Sequence, residues 1–216
     1  MRSCTKKKSK KDRALFNFRT FQDLKKSTTS LDNKLTQLAI LLEYEFHWGV
    51  DFKRRTIKVT GEIDENTYDI VDGSLTEMEA QSKADVIIKI NSPGGCSYQA
   101  MAIRSRMRES SCKIITKGYG HIMSAATILL ASGTRRREIA EEAFFMWHEA
   151  SYNMSGRHSE NKVQVNQAEK EELYWAKKMG EITKKDQQWW LKHGRGKDAY
   201  FNAEQLITLG VADEIF

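Results

Sequence analysis

The run Val86-Ile87-Ile88-Lys89-Ile90 constrains the fold more than any other stretch of the chain. β-Branched residues at successive positions put apolar surface on both faces of a strand, which predicts a place inside a parallel sheet covered on both sides. The chain then enters Asn91-Ser92-Pro93-Gly94-Gly95, where two glycines permit unusual backbone angles and close approach by a neighbouring segment. A second strand, Lys113 to Lys117, leads through Gly120-His121-Ile122-Met123 to Ser124-Ala125-Ala126, the small-residue mouth of a predicted helix. Free N–H groups and the positive end of the dipole at a helix start favour developing negative charge. Both stretches follow strands, so they are expected at one edge of the sheet, as the beginnings of an acyl-transfer site.

The surrounding pattern supports that placement. Thr56 to Thr60 reads as a strand ended by Gly61, and Glu65 to Ser82 as a helix with Ile70, Val71, Leu75 and Met78 inward. Tyr98 to Arg108 and Met123 to Ser132 read as helices, the second closed by Gly133, and Ala143 to Trp147 as a further strand. Alternating strands and helices imply an α/β fold with right-handed crossovers and a largely parallel sheet, whose catalytic loops gather at the carboxyl ends of the strands. Leu31 to Phe46 has helical spacing after Ser30, for packing on the body or on a neighbouring subunit. Past His148 the segment Ser151–Ser159 is polar. Asn161 to Gly180 is then a charged helix with only a thin apolar set that includes Val165, Leu173 and Ala176. Such a helix is expected to project and meet a partner subunit. Trp189-Trp190 is read as a buried helix face or subunit contact before a surface for stacking bases. Ala203 to Leu209, closed by Gly210, and Val211 to Phe216 return the chain to the body.

The net charge of +6 is a property of one end. Residues 1–30 carry ten Lys/Arg against two Asp/Glu, a charge of +8, which leaves −2 for the rest. A solvated basic tail is the preferred reading over a nucleic-acid or acidic-partner surface. Three scattered cysteines, Cys4, Cys96 and Cys112, show neither metal-ligand spacing nor a paired framework and are read as reduced thiols. No apolar run reaches the roughly 20 residues needed to span a bilayer, and Met1 to Lys11 leads into no signal-peptide core. A soluble cytoplasmic protein is expected, without membrane association.

A serine hydroxyl needs a base within hydrogen-bond reach, and the base needs an orienting acceptor. His148, just after Phe144-Phe145-Met146-Trp147, is the leading base for Ser124, with His121 a competitor only three residues away. Asp198 is the leading acceptor, with Asp213 and Glu149 as alternatives. Each also has a bland reading: Ser124 as a helix N-cap, His148 as a half-buried histidine, Asp198 as a turn residue. Cys96 as a thiol nucleophile is disfavoured, because no flanking basic group would lower its pKa.

The motifs Asn91-Ser92-Pro93-Gly94-Gly95, Gly120-x-x-x-Ser124-Ala125-Ala126, Phe145-Met146-Trp147-His148 and Asp198-Ala199-Tyr200-Phe201-Asn202-Ala203 resemble successive signatures of the Clp protease proteolytic subunit family. The spacings, 24 residues from Ser124 to His148 and 50 from His148 to Asp198, are similar as well. The resemblance implies a ClpP/crotonase-like α/β fold, with a protruding handle strand and helix at about 149–182. Charge and spacing patterns give a basic tail at 1–30 and an N-terminal helix and connection at 31–54, and the resemblance covers about residues 55–216, a serine peptidase domain. It makes Ser124 the nucleophile, His148 the general base and then acid, and Asp198 the orienting carboxylate. It also implies an oxyanion hole from the backbone N–H groups of Gly95 and Ala125, and a substrate strand held along Gly94, Gly95, Cys96 and Ser97. No metal or organic cofactor is required. The implied partners are extended polypeptide substrate, further copies in stacked rings, and an unfolding ATPase. Glu149-Ala150 stands where the family usually has Gln-Pro, which removes no triad atom; this divergence and the basic segment point to a phage or prophage member that processes head proteins. The rival readings are a catalytically silent oligomeric scaffold and a crotonase-type acyl-CoA protein.

Overall fold

The computed structural model describes residues 31–216. The predicted basic tail, Cys4 and the Ser30 cap lie outside them. Helix α1 (Leu31–Glu43) runs into a π-helical turn, Tyr44–Trp48, which Gly49 ends at φ 67°. The body follows as β1 (Val50–Asp51), β2 (Thr56–Ile63), α2 (Glu65–Gln81), β3 (Val86–Gly95), α3 (Ser97–Glu109) and β4 (Ile114–Met123). Next come α4 (Ala126–Ala131), β5 (Arg136–Ile139), β6 (Phe144–Trp147), α5 (His158–Ile182) and α6 (Gln187–Gly194). β7 (Ala199–Phe201), α7 (Ala203–Leu209) and β8 (Glu214–Ile215) complete the chain.

The strands order as β1-β2-β3-β4-β5-β8, with β6 branching from β4 and β7 from β6. All pairings are parallel except β1 with β2 and β6 with β7. β4 is long enough to serve two partners. Its first half pairs with β5, and His121–Met123 pairs with Phe144–Met146 of β6. The branch carries a second small strand pair to the edge where the expected site lies.

Period-two alternation decides which face of the sheet is packed. Val86, Ile88 and Ile90 are fully buried with Ile114 and Ile122, against Ile103 and Met107 of α3 and Ile128 to Leu130 of α4. Ile87, Lys89, Ile115 and Lys117 are only half-buried, so the second face is not closed over as the β-branched run predicts. Lysine stems and aromatic rings partly cover it: Lys89 lies over Tyr119, and Lys117 lies over Phe216 while pairing with Glu138.

α2 starts with a reciprocal cap between Asp64 and Thr67, and Arg106 ties α3 to α2 through Asp72 at 2.7 Å and Glu79 at 2.8 Å. Near the C-terminus, Arg137 donates to both Asp213 carboxylate oxygens and to the carbonyls of Ile182 and Gly210, so one guanidinium joins β5, β8 and the ends of α5 and α7. Arg137 holds the Asp213 carboxyl below the usual carboxylate range, and Arg106 does the same for Glu79. A depressed carboxylate pKa adds stability above the unfolded value, near 3.9 for Asp, and that stability is lost as pH falls through the lower folded value. Arg137→Met should therefore flatten the drop in urea midpoint below about pH 4. The change is modest because Asp213 is partly exposed.

α5 covers the predicted charged helix and extends it at both ends. Ala176 and Met179 are its buried residues, while Val163, Val165, Leu173 and Tyr174 face solvent. Residues 149–157 pair with no strand of the described residues, so the expected handle strand is not formed within one chain; a strand needs a partner for its backbone groups. Trp190 is fully buried and meets Trp147 edge-on at 5.1 Å, with Trp189 beside it, so the tryptophan pair belongs to the packing of α6.

Candidate active site

Ser124 is not a helix cap. α4 begins at Ala126, and Ser124 occupies the turn before it at φ 53°, a left-handed backbone that costs a non-glycine residue about 1–3 kcal/mol. Its N–H donates to the Met146 carbonyl at 2.9 Å, and its own carbonyl accepts from the Thr127 N–H and hydroxyl. With both backbone groups held, the hydroxyl projects from the end of β4.

The register of the branch strands brings the other two residues to it. Phe145 pairs with Phe201, Met146 with Tyr200 and Trp147 with Ala199; one step further along the same antiparallel pair sets His148 opposite Asp198. Trp147 is anchored immediately before His148 by its indole N–H on the Trp190 carbonyl at 2.9 Å. His148 Nε2 lies 2.7 Å from Ser124 Oγ, and Nδ1 lies 3.6 Å from Asp198 Oδ1. The first distance is a hydrogen bond. The second is an ion-pair separation longer than one, and the Asp198 side chain is 54% exposed.

The glycine stretch reaches the same point as a continuation of β3. After a register shift between Thr60 and Glu62 of β2, Gly94 pairs with Glu62 and Gly95 with Ile63. The Ser92 hydroxyl, fully buried, donates to the Gly61 carbonyl at 2.6 Å and accepts from the Gly94 N–H. Gly94 has φ 100°, and a Cβ there would stand 2.6 Å from Ser124 Cβ and 2.9 Å from the Ala125 nitrogen. Only glycine lets this strand end lie against the serine turn. Of the four residues expected to hold a substrate strand, Gly94 and Gly95 are in strand backbone. The Cys96 N–H is taken by the Ile63 carbonyl, and Ser97 opens α3.

The alternatives separate cleanly. His121 is exposed on β4 with no bond to Ser124, Asp213 is engaged by Arg137, and the carboxylate that His148 Nδ1 faces is that of Asp198 rather than Glu149. Cys96 and Cys112 are free thiols. Among the described residues no group of His, Cys, Asp or Glu is arranged to hold a metal ion, and no helix is long and apolar enough to cross a membrane.

The family model for Clp protease matches residues 47–216, most of the chain. The chain belongs to the Clp protease family. It is similar to the ATP-dependent Clp protease proteolytic subunit 3 of Rhodococcus jostii, 25% identical over 171 residues that cover 76% of this chain and 82% of that protein. It is also similar to the ATP-dependent Clp protease proteolytic subunit 1 of Leifsonia xyli, 30% identical over 171 residues that cover 76% and 83%. This Clp protease chain is therefore a divergent member, and its mostly parallel sheet with surrounding helices is the α/β fold of the family.

Beside Ser124 and His148 the Clp protease chain forms a cleft of about 150 Å3, bounded by Gly95, Ala125, Tyr152, Glu172 and Trp175. The last three were not evident from the sequence. The aromatic pair Tyr174-Trp175 in an otherwise charged helix, with Trp175 one turn from Glu172, is the sequence signal that could have found them. Glu171 ties this wall together, accepting from the Tyr98 hydroxyl at 2.5 Å and from Gln167 at 2.8 Å. That bond pushes the Tyr98 phenol up to about 12; burial, with Glu171 beside it, pushes Tyr152 up to about 12. Both phenols thus stay neutral hydrogen-bond donors across the ordinary pH range.

Proposed function

We propose that this chain is a serine endopeptidase that cleaves extended polypeptides through an acyl-enzyme. The observation that carries the reading is Ser124 Oγ at 2.7 Å from His148 Nε2, on a strained turn opening into the cleft. His148 in the tautomer with its proton on Nδ1, facing Asp198, leaves Nε2 to take the serine proton as Oγ attacks the scissile carbonyl. The oxyanion is received by the N–H groups of Gly95 and Ala125. His148 then protonates the departing amine, and a water activated by the same imidazole hydrolyses the ester. None of these steps uses a cofactor.

The names of the relatives carry ATP dependence, and on that basis we assign this chain an unfolding ATPase as partner. The exposed Val163, Val165, Leu173 and Tyr174 of α5 support assembly with further copies through that helix.

A fluorophosphonate probe tests the nucleophile directly. Incubated with the full chain, it should add covalently to Ser124, located by peptide mass spectrometry, and His148→Ala should abolish labelling. Labelling elsewhere, or none at Ser124 in the assembled protein, overturns the reading. Asp198→Asn should lower kcat by roughly 10- to 100-fold. The effect falls short of the about 10^4 seen for a buried, well-bonded carboxylate, because Asp198 is exposed and its contact is long.

A further inference from the structure

Asp198 lies in the loop between α6 and β7, and both ends of that loop are fixed. At its start Gly194 is pressed against the segment of the base: a Cβ there would stand 2.7 Å from the Trp147 indole nitrogen and 3.3 Å from the His148 carbonyl carbon. The Gly194 carbonyl accepts from the Glu149 N–H at 3.1 Å. At its end Ala199 pairs with Trp147 as β7 begins. Between these points Gly196 turns the chain at φ 66°. Among the described residues the Asp198 carboxylate makes no hydrogen bond, and its contact with His148 is the 3.6 Å separation already noted. Where Asp198 stands is therefore set by the path of the loop rather than by bonds of its own.

Arg195 ties that path to another element. Its Nε donates to Glu172 Oε1 at 2.7 Å and its Nη2 to Glu172 Oε2 at 3.2 Å. A planar fork on two carboxylate oxygens fixes direction as well as distance, which a lysine point charge does not. Glu172 belongs to α5 and to the wall of the cleft beside Ser124. Its neighbour Glu171, turned about 100° around the helix, accepts from Tyr98, three residues after Gly95. Adjacent carboxylates of α5 thus hold the segment that follows Gly95 and the loop that leads to Asp198. Arg195 is more than half exposed, so its ion pair adds little to stability. Acting on geometry, the same bond has more leverage, because a displacement of about 1 Å at a reacting group can cost about 10^2-fold in rate.

We propose that Arg195 and Glu172 are positioning residues for the orienting carboxylate: their fork holds residues 195–198 so that Asp198 faces His148 Nδ1, and couples that placement to α5. Its effect on turnover rests on the peptidase reading, whereas the hold on the loop does not.

The test uses the full chain carrying Arg195→Met, which removes the fork at an exposed position outside the lining of the cleft. kcat for peptide hydrolysis should fall about tenfold, with KM within about twofold of the parent and the thermal midpoint within a few degrees. In the Asp198→Asn background, Arg195→Met should lower kcat no further, because a residue that acts through Asp198 then has no carboxylate to place. Hydrogen exchange followed by mass spectrometry reports on the loop without any turnover, and the amides of residues 195–199 should exchange several-fold faster in Arg195→Met. Losses that multiply in the double variant, or a raised KM with kcat unchanged, give Arg195 a role apart from Asp198 and overturn the proposal. Unchanged exchange overturns it as well. A parent that neither cleaves peptide nor labels at Ser124, while exchange still responds to Arg195→Met, overturns the peptidase reading and upholds the hold on the loop.

Discussion

Ser124→Ala should lower kcat for peptide or casein hydrolysis by roughly 10^4–10^6-fold while leaving the fold intact. The loss is large because the hydroxyl oxygen is the atom that forms the acyl bond, and among the described residues it is Ser124 that hydrogen-bonds His148, whereas Cys96 does not line the cleft. The fold survives because the Ser124 backbone makes the local contacts, through its N–H to Met146 and its carbonyl to Thr127, and alanine keeps both. The thermal midpoint should move by no more than a few degrees, and alanine at φ 53° carries a strain close to that of serine. Residual turnover over water comes from the oxyanion donors and substrate binding alone. Equal activity in parent and variant would remove Ser124 from the chemistry.

Where periodicity carries the information, the chain was legible. Val86–Ile90, the apolar set of α2 and the β4–α4 unit follow from spacing alone, and that order of elements places Gly95, Ser124 and His148 at one sheet edge. What periodicity does not encode is local backbone. A serine before a small-residue helix reads as a cap, and only the hydrogen bond from Ser124 N–H to Met146 on a different strand reveals the left-handed turn. Pro93 and the glycines read as a turn, yet a buried Ser92 hydroxyl bridging Gly61 and Gly94 keeps β3 in register with β2 through them. β7 is three residues long and carries no pattern, although its pairing with β6 is what sets Asp198 opposite His148.

Gly95→Ala should lower kcat by about 10^2–10^3-fold and destabilise the protein by about 1–3 kcal/mol from backbone strain alone. Gly95 has φ 143°, a region that side chains resist, and a Cβ there would press on the Ile63 carbonyl and stand 2.6 Å from the Ile63 nitrogen. Neither is the end of a flexible side chain, so the ends of β2 and β3 must separate or the peptide must rotate. Either movement swings the Gly95 N–H away from the cleft, and one oxyanion donor is worth about 3–4 kcal/mol of barrier. Gly61→Ala is the matched control. It also has positive φ, at 76°, but a Cβ there meets nothing within 4 Å, so it carries strain without displacing β2 from β3. Comparison of the two variants by kcat per fluorophosphonate-reactive site separates oxyanion loss from unfolding. If Gly95→Ala keeps kcat within a few-fold of Gly61→Ala at similar midpoints, the Gly95 N–H does not stabilise the transition state and the second donor must come from another part of the serine turn.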